Sequence, residues 1–174
     1  GGHKLVVNTS IEDVEYINRK ATVISAPEFT VLKEGDEIVI HHNILREGYG
    51  QQGGLIRSEY WLEDDTFFVP LTEIFAYKRD SEWVSLDPFC FVQPIKFKAE
   101  DKEGFQLFND ERNSDSYKGQ VKLTGTIAFT NKSLQEQGVE NGDVVMFSHW
   151  SEYEFTIDGE LYYKMSTKDI IAKL

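Results

Sequence analysis

Gly142-Asp143-Val144-Val145-Met146-Phe147 opens with a polar turn and runs on as β-branched and bulky residues. Gly35-Asp36-Glu37-Ile38-Val39-Ile40 does the same in the first half of the chain. Working outward, Pro70-Leu71-Thr72-Glu73-Ile74-Phe75-Ala76 answers to Ser166-Thr167-Lys168-Asp169-Ile170-Ile171-Ala172, each a polar turn with an acidic residue, two apolar residues and an Ala. Lys20-Ala21-Thr22-Val23-Ile24-Ser25-Ala26 lies less closely on Gly119-Gln120-Val121-Lys122-Leu123-Thr124-Gly125, and Lys4-Leu5-Val6-Val7 stands against Phe89-Cys90-Phe91-Val92. The blocks keep one order, the mark of an internal repeat. They predict two copies of one β-unit, residues 1–79 and 80–174, joined near Lys78-Arg79-Asp80-Ser81.

The remaining sequence also favours strands. Apolar runs are short and bounded by Gly, Asn, Asp or Pro, and Val, Ile, Thr, Phe and Tyr are plentiful. Ile11 to Asn18 and Thr130 to Gln137 have room for a helical turn or two, but neither carries a sustained 3.6-residue stripe. The expected fold is all-β, two small antiparallel barrels in tandem. With 40% hydrophobic residues the 174-residue chain can build cores. Its 30 acidic residues outnumber 18 basic ones, for a net charge of −12. Polyanion binding needs clustered Lys and Arg, so neither nucleic acid nor an anionic membrane is an expected partner. No apolar run is long enough to span a bilayer, and no charged-then-greasy leader opens the chain; Gly1-Gly2-His3 looks like a cloning remnant. Cys90, the one cysteine, excludes an internal disulfide and a Cys-based zinc cluster. A cytoplasmic protein is expected.

The copies differ in where they are long. Copy two carries an extra stretch between its first two strands, roughly Lys98 to Lys118, charged and Asn/Ser/Asp-rich with one apolar cluster at Phe105-Gln106-Leu107-Phe108. Copy one lacks that stretch and is long instead after its Gly-Asp strand, from Asn43 to Thr66. Long loops without structure of their own inside compact domains are usually functional or disordered.

From Trp83 to Leu174 the chain resembles a GroES-like co-chaperonin subunit. The resemblance rests on Leu86-Asp87-Pro88-Phe89-Cys90-Phe91-Val92-Gln93-Pro94, Gly142 to Phe147, Ile157-Asp158-Gly159-Glu160-Leu161-Tyr162, and Met165-Ser166 to Asp169-Ile170-Ile171-Ala172. Residues Leu5 to Tyr77 share it through the repeat. The resemblance implies an irregular antiparallel barrel that self-associates into a ring and caps the cavity of an ATP-driven, GroEL-like chaperonin, with no catalysis or cofactor of its own. It also implies that a mobile loop between the first two strands docks an apolar tripeptide on the chaperonin rim. The family's Gly-Gly-Ile-Val-Leu-like core falls on Glu103-Gly104-Phe105-Gln106-Leu107, with Gln106 a departure. The resemblance thus assigns partner docking to Phe105, Gln106, Leu107 and Phe108, with Gly104 as hinge. Ring closure would pair the strand near Phe89 to Val92 with a neighbour's Ile170 to Leu174, or with Ile74 to Tyr77 of the chain's own other copy.

Other chemistry is sparse. Gly48-Tyr49-Gly50-Gln51-Gln52-Gly53 fits a dinucleotide fingerprint by letter, but the helix that must open at its last Gly has no room before Glu63-Asp64-Asp65, so a hairpin loop is expected. GroES-like barrels also form the catalytic domain of medium-chain alcohol dehydrogenases, which need zinc ligands and a nucleotide domain; one Cys and no βαβ pattern supply neither, and no enzyme is expected. His41-His42, adjacent in a strand, would point to opposite faces and not share a metal. Glu63-Asp64-Asp65 reads as a solvated turn rather than a calcium loop. Tyr60-Trp61, Trp83 and Trp150 with Tyr153 form either a ligand platform or, more simply, barrel filling. Two alternatives to the co-chaperonin stand beside it. One is a structural or assembly protein, for instance viral, that keeps the barrel without chaperonin binding; the other is a ligand-binding barrel using the Tyr60-Trp61 loop.

Overall fold

A computed structural model describes residues 19–96 and 120–174. The chain divides into two compact units, one up to Trp83 and one from Val84 onward. Strands β1 (Lys20–Thr22), β2 (Glu37–Ile40), β7 (Ile74–Arg79) and β8 (Glu82–Ser85) form an antiparallel sheet in the order β1-β2-β7-β8. Two ribbons, β3 (Glu47–Tyr49) with β4 (Leu55–Arg57) and β5 (Trp61–Glu63) with β6 (Thr66–Phe67), occupy the connection from β2 to β7. The first unit buries Ile38, Val39 and Ile40 with Ile74, Phe75 and Ala76, joined by Val23, Leu32 and Ile44.

The second unit is a six-stranded sheet of β9 (Phe89–Lys96), β10 (Gln120–Phe129), β11 (Val144–Phe147), β12 (Tyr153–Ile157), β13 (Glu160–Ser166) and β14 (Ile170–Lys173), in the order β12-β13-β9-β10-β11-β14. Cys90, Phe91 and Val92 of β9 are all fully buried, because both faces of that strand are covered. Cys90 and Val92 join Ile127, Leu134, Val145, Phe147, Tyr163 and Met165 in one core cluster. Phe91 meets Phe155 edge-on with centroids 5.7 Å apart, and Phe129 at 5.4 Å. The 130–137 stretch gives one short helix, α1 (Lys132–Glu136). Buried Asn131 caps it by accepting the Leu134 N–H (2.8 Å) and donates to the Phe89 carbonyl and Thr167 Oγ1, both at 2.7 Å.

The fold is mostly β and antiparallel, as expected, but the strand ladders among the described residues are open sheets with free edges, not closed barrels. Of the repeat blocks, Lys4 to Val7 lies outside the described residues, while the two Gly-Asp turns share their hydrogen bonds. Val23 N–H donates to the Asp36 carbonyl and Gly35 N–H to that of Val23; Ile127, Asp143 and Gly142 do the same. The carboxylate of Asp36 accepts the Lys33 N–H and that of Asp143 the Glu140 N–H, both at 2.7 Å. Gly35 and Gly142 take φ of +88° and +91°, a backbone that only glycine adopts without cost. Glu73 and Asp169 carbonyls accept the His41 and Ser148 N–H groups at the strand ends. One block needs correction. Thr22 faces Glu37 and Thr126 faces Val144, so Thr22 answers to Thr126, and laying Lys20 on Gly119 is out of register. Longer β10 hid this, because its bulge between Gln120 and Gly125 shifts the pattern.

Gly125 has a packing role. A Cβ there would run into the Val92 side chain and lie 2.8 Å from the Gln93 carbonyl oxygen. Gly125→Ala is expected to destabilise the second unit by roughly 1–3 kcal/mol, the usual cost of overpacking, read as a lower urea midpoint at unchanged slope.

Candidate partner-docking site

Two places in the second unit could engage partners, the β9–β10 stem and the outer edge of β14. In the stem, Lys96 pairs with Gln120 and Pro94 with Gly125. Paired strands lie about 5 Å apart, so the chain leaves β9 and rejoins β10 at one spot. Pro94 has no N–H to give the ladder, and Leu123 takes a φ of 54°, which bends β10 as it approaches that end. Gly104, Phe105, Gln106, Leu107 and Phe108, like the whole 98–118 stretch, lie outside the described residues.

The strand assigned by resemblance to ring closure cannot serve. Phe89 to Val92 is already paired on both sides, with Ser166 to Tyr163 of β13 and with Ile127 and Phe129 of β10. Ile74 to Tyr77 likewise lies inside a sheet, between β2 and β8. The second unit's edges are β12 and β14, and they differ. Beside β12 stand Glu152, Glu154, Asp158 and Glu160, charges of the kind that deter strand addition. Along β14, Ile171 and Leu174 are more than 60% exposed and carry no charge.

Electrostatics hold β14 in place. Lys173 Nζ reaches the Asp143 carboxylate at 2.6 Å and the Gly138 carbonyl at 3.0 Å. The Glu140 N–H, and then Lys173, keep the Asp143 carboxyl below its ordinary range. The first unit has a stronger version. Arg79 grips Asp36 through Nε (2.9 Å) and Nη2 (2.6 Å), and Nη2 also reaches the Val31 carbonyl at 2.7 Å. The Arg79–Asp36 hydrogen bond is the main reason the Asp36 carboxyl is held low. Burial pushes the Cys90 thiol up to about 12, which leaves it an unreactive packing group at neutral pH.

Residues 91–174 match the family described as Chaperonin 10 Kd subunit. Over 84 residues the chain is 36% identical to the Co-chaperonin GroES of Syntrophomonas wolfei subsp. wolfei (strain DSM 2245B / Goettingen), a match that covers 48% of this chain and 88% of that relative. The chain belongs to the GroES-like co-chaperonin family. Its role is therefore that of a co-chaperonin, and the family as a whole is not catalytic.

Several smaller expectations resolve within this GroES-like chain. Gly50 and Gly53 close the turn of the β3–β4 ribbon, with Gly50 N–H on the Gly54 carbonyl, so the glycine pattern is a hairpin turn. Glu63-Asp64-Asp65 is the turn of β5–β6, Asp64 at a φ of 43°. His41 and His42 correct the sequence reading. Strand β2 ends at Ile40, the backbone turns with Ile44 N–H on the His41 carbonyl, and the two rings stack at 4.2 Å instead of pointing apart. No group of three His, Cys, Asp or Glu able to hold a metal occurs among the described residues, nor any helix long and apolar enough to cross a membrane. Barrel filling by the tryptophans is also wrong. Trp150 is 85% exposed, Trp61 stands against Arg57, and Trp83 lies between the Lys20 and Lys78 ammonium groups at about 5.5 Å.

Asp143→Asn is expected to lower the urea midpoint at about pH 7. A depressed carboxyl contributes stability above its unfolded pKa near 4 and loses it as pH falls through the folded value. The gap between wild type and variant should therefore narrow as pH falls below about 4.

Proposed function

We propose that this chain is a tandem co-chaperonin subunit: it self-associates into a ring and caps the cavity of a GroEL-type chaperonin, assisting ATP-dependent folding in the cytoplasm without catalysis of its own. Family membership of residues 91–174, together with the Lys96–Gln120 pairing that brings both ends of the 97–119 segment to one spot, carries the reading. On it, Phe105, Leu107 and Phe108 dock on the chaperonin rim, Gln106 lies among them, and Gly104 is the hinge. The first unit is a divergent copy of the same β-unit, a reading supported by the matched hydrogen bonds around Asp36 and Asp143. Ring closure runs through the outer edge of β14.

The energetics suit a removable lid. Burying three apolar side chains yields roughly 1.5–3 kcal/mol each, while ordering a free segment costs about 2–5 kcal/mol. One arm therefore grips weakly, and a ring of arms grips together and releases together.

The test is Phe105→Ser combined with Leu107→Ser, assayed for modulation of a GroEL-type chaperonin's ATPase. The expected result is loss of modulation at unchanged oligomer size. Full modulation by the variant would refute the assigned docking residues; wild type without effect on the chaperonin would leave the assembly-protein alternative.

A further inference from the structure

The connection from β2 to β7 has no part in the lid reading above. In the second unit the corresponding connection is the β12–β13 ribbon, whose Phe155, Ile157, Tyr163 and Met165 are core. In the first unit the same slot leaves Tyr49, Leu55, Ile56, Leu62 and Phe68 roughly half exposed or more. Register places Tyr49 opposite Leu55 and Glu47 opposite Arg57, so these four side chains share one face of the β3–β4 ribbon. The Arg57 guanidinium continues that face to Trp61, 4.5 Å from its ring, while Glu47 meets Arg57 at 3.5 Å.

Two-stranded ribbons have little stability of their own, yet this one is tied down. Ser58 Oγ, just after β4, donates to the carbonyl of fully buried Ile44 at 2.5 Å, and in the next ribbon Trp61 Nε1 donates to the Asp64 carbonyl at 2.8 Å, which fixes the indole locally. A cavity of about 490 Å³ beside it, lined by Arg46, Tyr49, Ile56 and Tyr60 among others, can accept a side chain. Exposed Tyr, Trp and Arg in a fixed arrangement are the residues that carry binding energy at interfaces. Five carboxylates, Glu47, Glu59, Glu63, Asp64 and Asp65, outnumber the guanidiniums of Arg46 and Arg57 across the segment. A second copy of a chain with net charge −12 would bring like charge to it.

We propose that the face formed by Tyr49, Leu55, Arg57 and Trp61 docks a basic, apolar-anchored peptide segment of a partner protein. The probe is a fluorescein-labelled synthetic peptide alternating Lys and Leu, titrated by anisotropy with the full chain. Replacing its Lys by Glu, or its Leu by Ser, should weaken binding about tenfold or more, as should Tyr49→Ser with Leu55→Ser in the protein. Glu63→Gln with Asp65→Asn, at turn positions outside any core, should also weaken it and serves if the first variant misfolds. Equal binding of all three peptides, or unchanged binding by both protein variants, overturns the proposal. So does tighter binding by Leu5→Ser with Val7→Ser, which would assign the face to the chain's own first residues. Self-association of wild type that Tyr49→Ser with Leu55→Ser abolishes would assign it to a second copy and likewise overturn it.

Discussion

An aspartate placed directly after a left-handed glycine organises both units. Its carboxylate accepts a backbone N–H from within the turn, and a cation from the strand across the sheet closes on it. The same cation takes the carbonyl just before buried Leu32 in one unit and buried Val139 in the other. Turn, central strand and third strand are thereby fixed by one charged group. Charge-assisted bonds to a carboxylate are about twice as strong as neutral ones, so the clamp sets register where hydrophobic pairing alone would permit a slip. The cation is Arg79 in one case and Lys173 in the other, two positions apart in the aligned strands but on the same face.

From that shared frame the two units spend their connections differently. The second turns its post-clamp ribbon inward, so that Phe155 and Ile157 complete the aromatic core around Phe91, and it keeps its length for the stem between β9 and β10. The first turns its ribbons outward. Acid stands along the β12 edge, whereas the β14 edge exposes Ile171 and Leu174 and spends its one charge, Lys173, on Asp143.

Much of this was legible because it is local. A Gly-Asp pair before a β-branched run names both the turn and the strand that follows, and Asp143 to Phe147 and Asp36 to Ile40 behave alike. The family was legible for the same reason: its motifs are contiguous. What failed depended on partners distant in sequence. That Phe89 to Val92 is a central strand, unable to pair with a neighbour, follows from β13 and β10 lying on either side, which no single run reveals. The bulge in β10 displaced the weakest repeat block, and the stacking of His41 on His42 reflects a strand that stops with its apolar run at Ile40 and does not extend through the histidines. The tryptophans were misread because bulk argues for burial, whereas Lys20, Arg57 and Lys78 hold indoles at the surface. The edge asymmetry did have a signal, in the alternating Glu152 and Glu154 set against Ile171 and Leu174.

The mass of the native particle in solution tests the central claim most directly. A GroES-like chain that works as a lid should give a closed oligomer at a whole-number multiple of the 20.1 kDa chain, independent of concentration over a wide range. A compact particle of 20.1 kDa at every concentration, unchanged by a chaperonin, would contradict it.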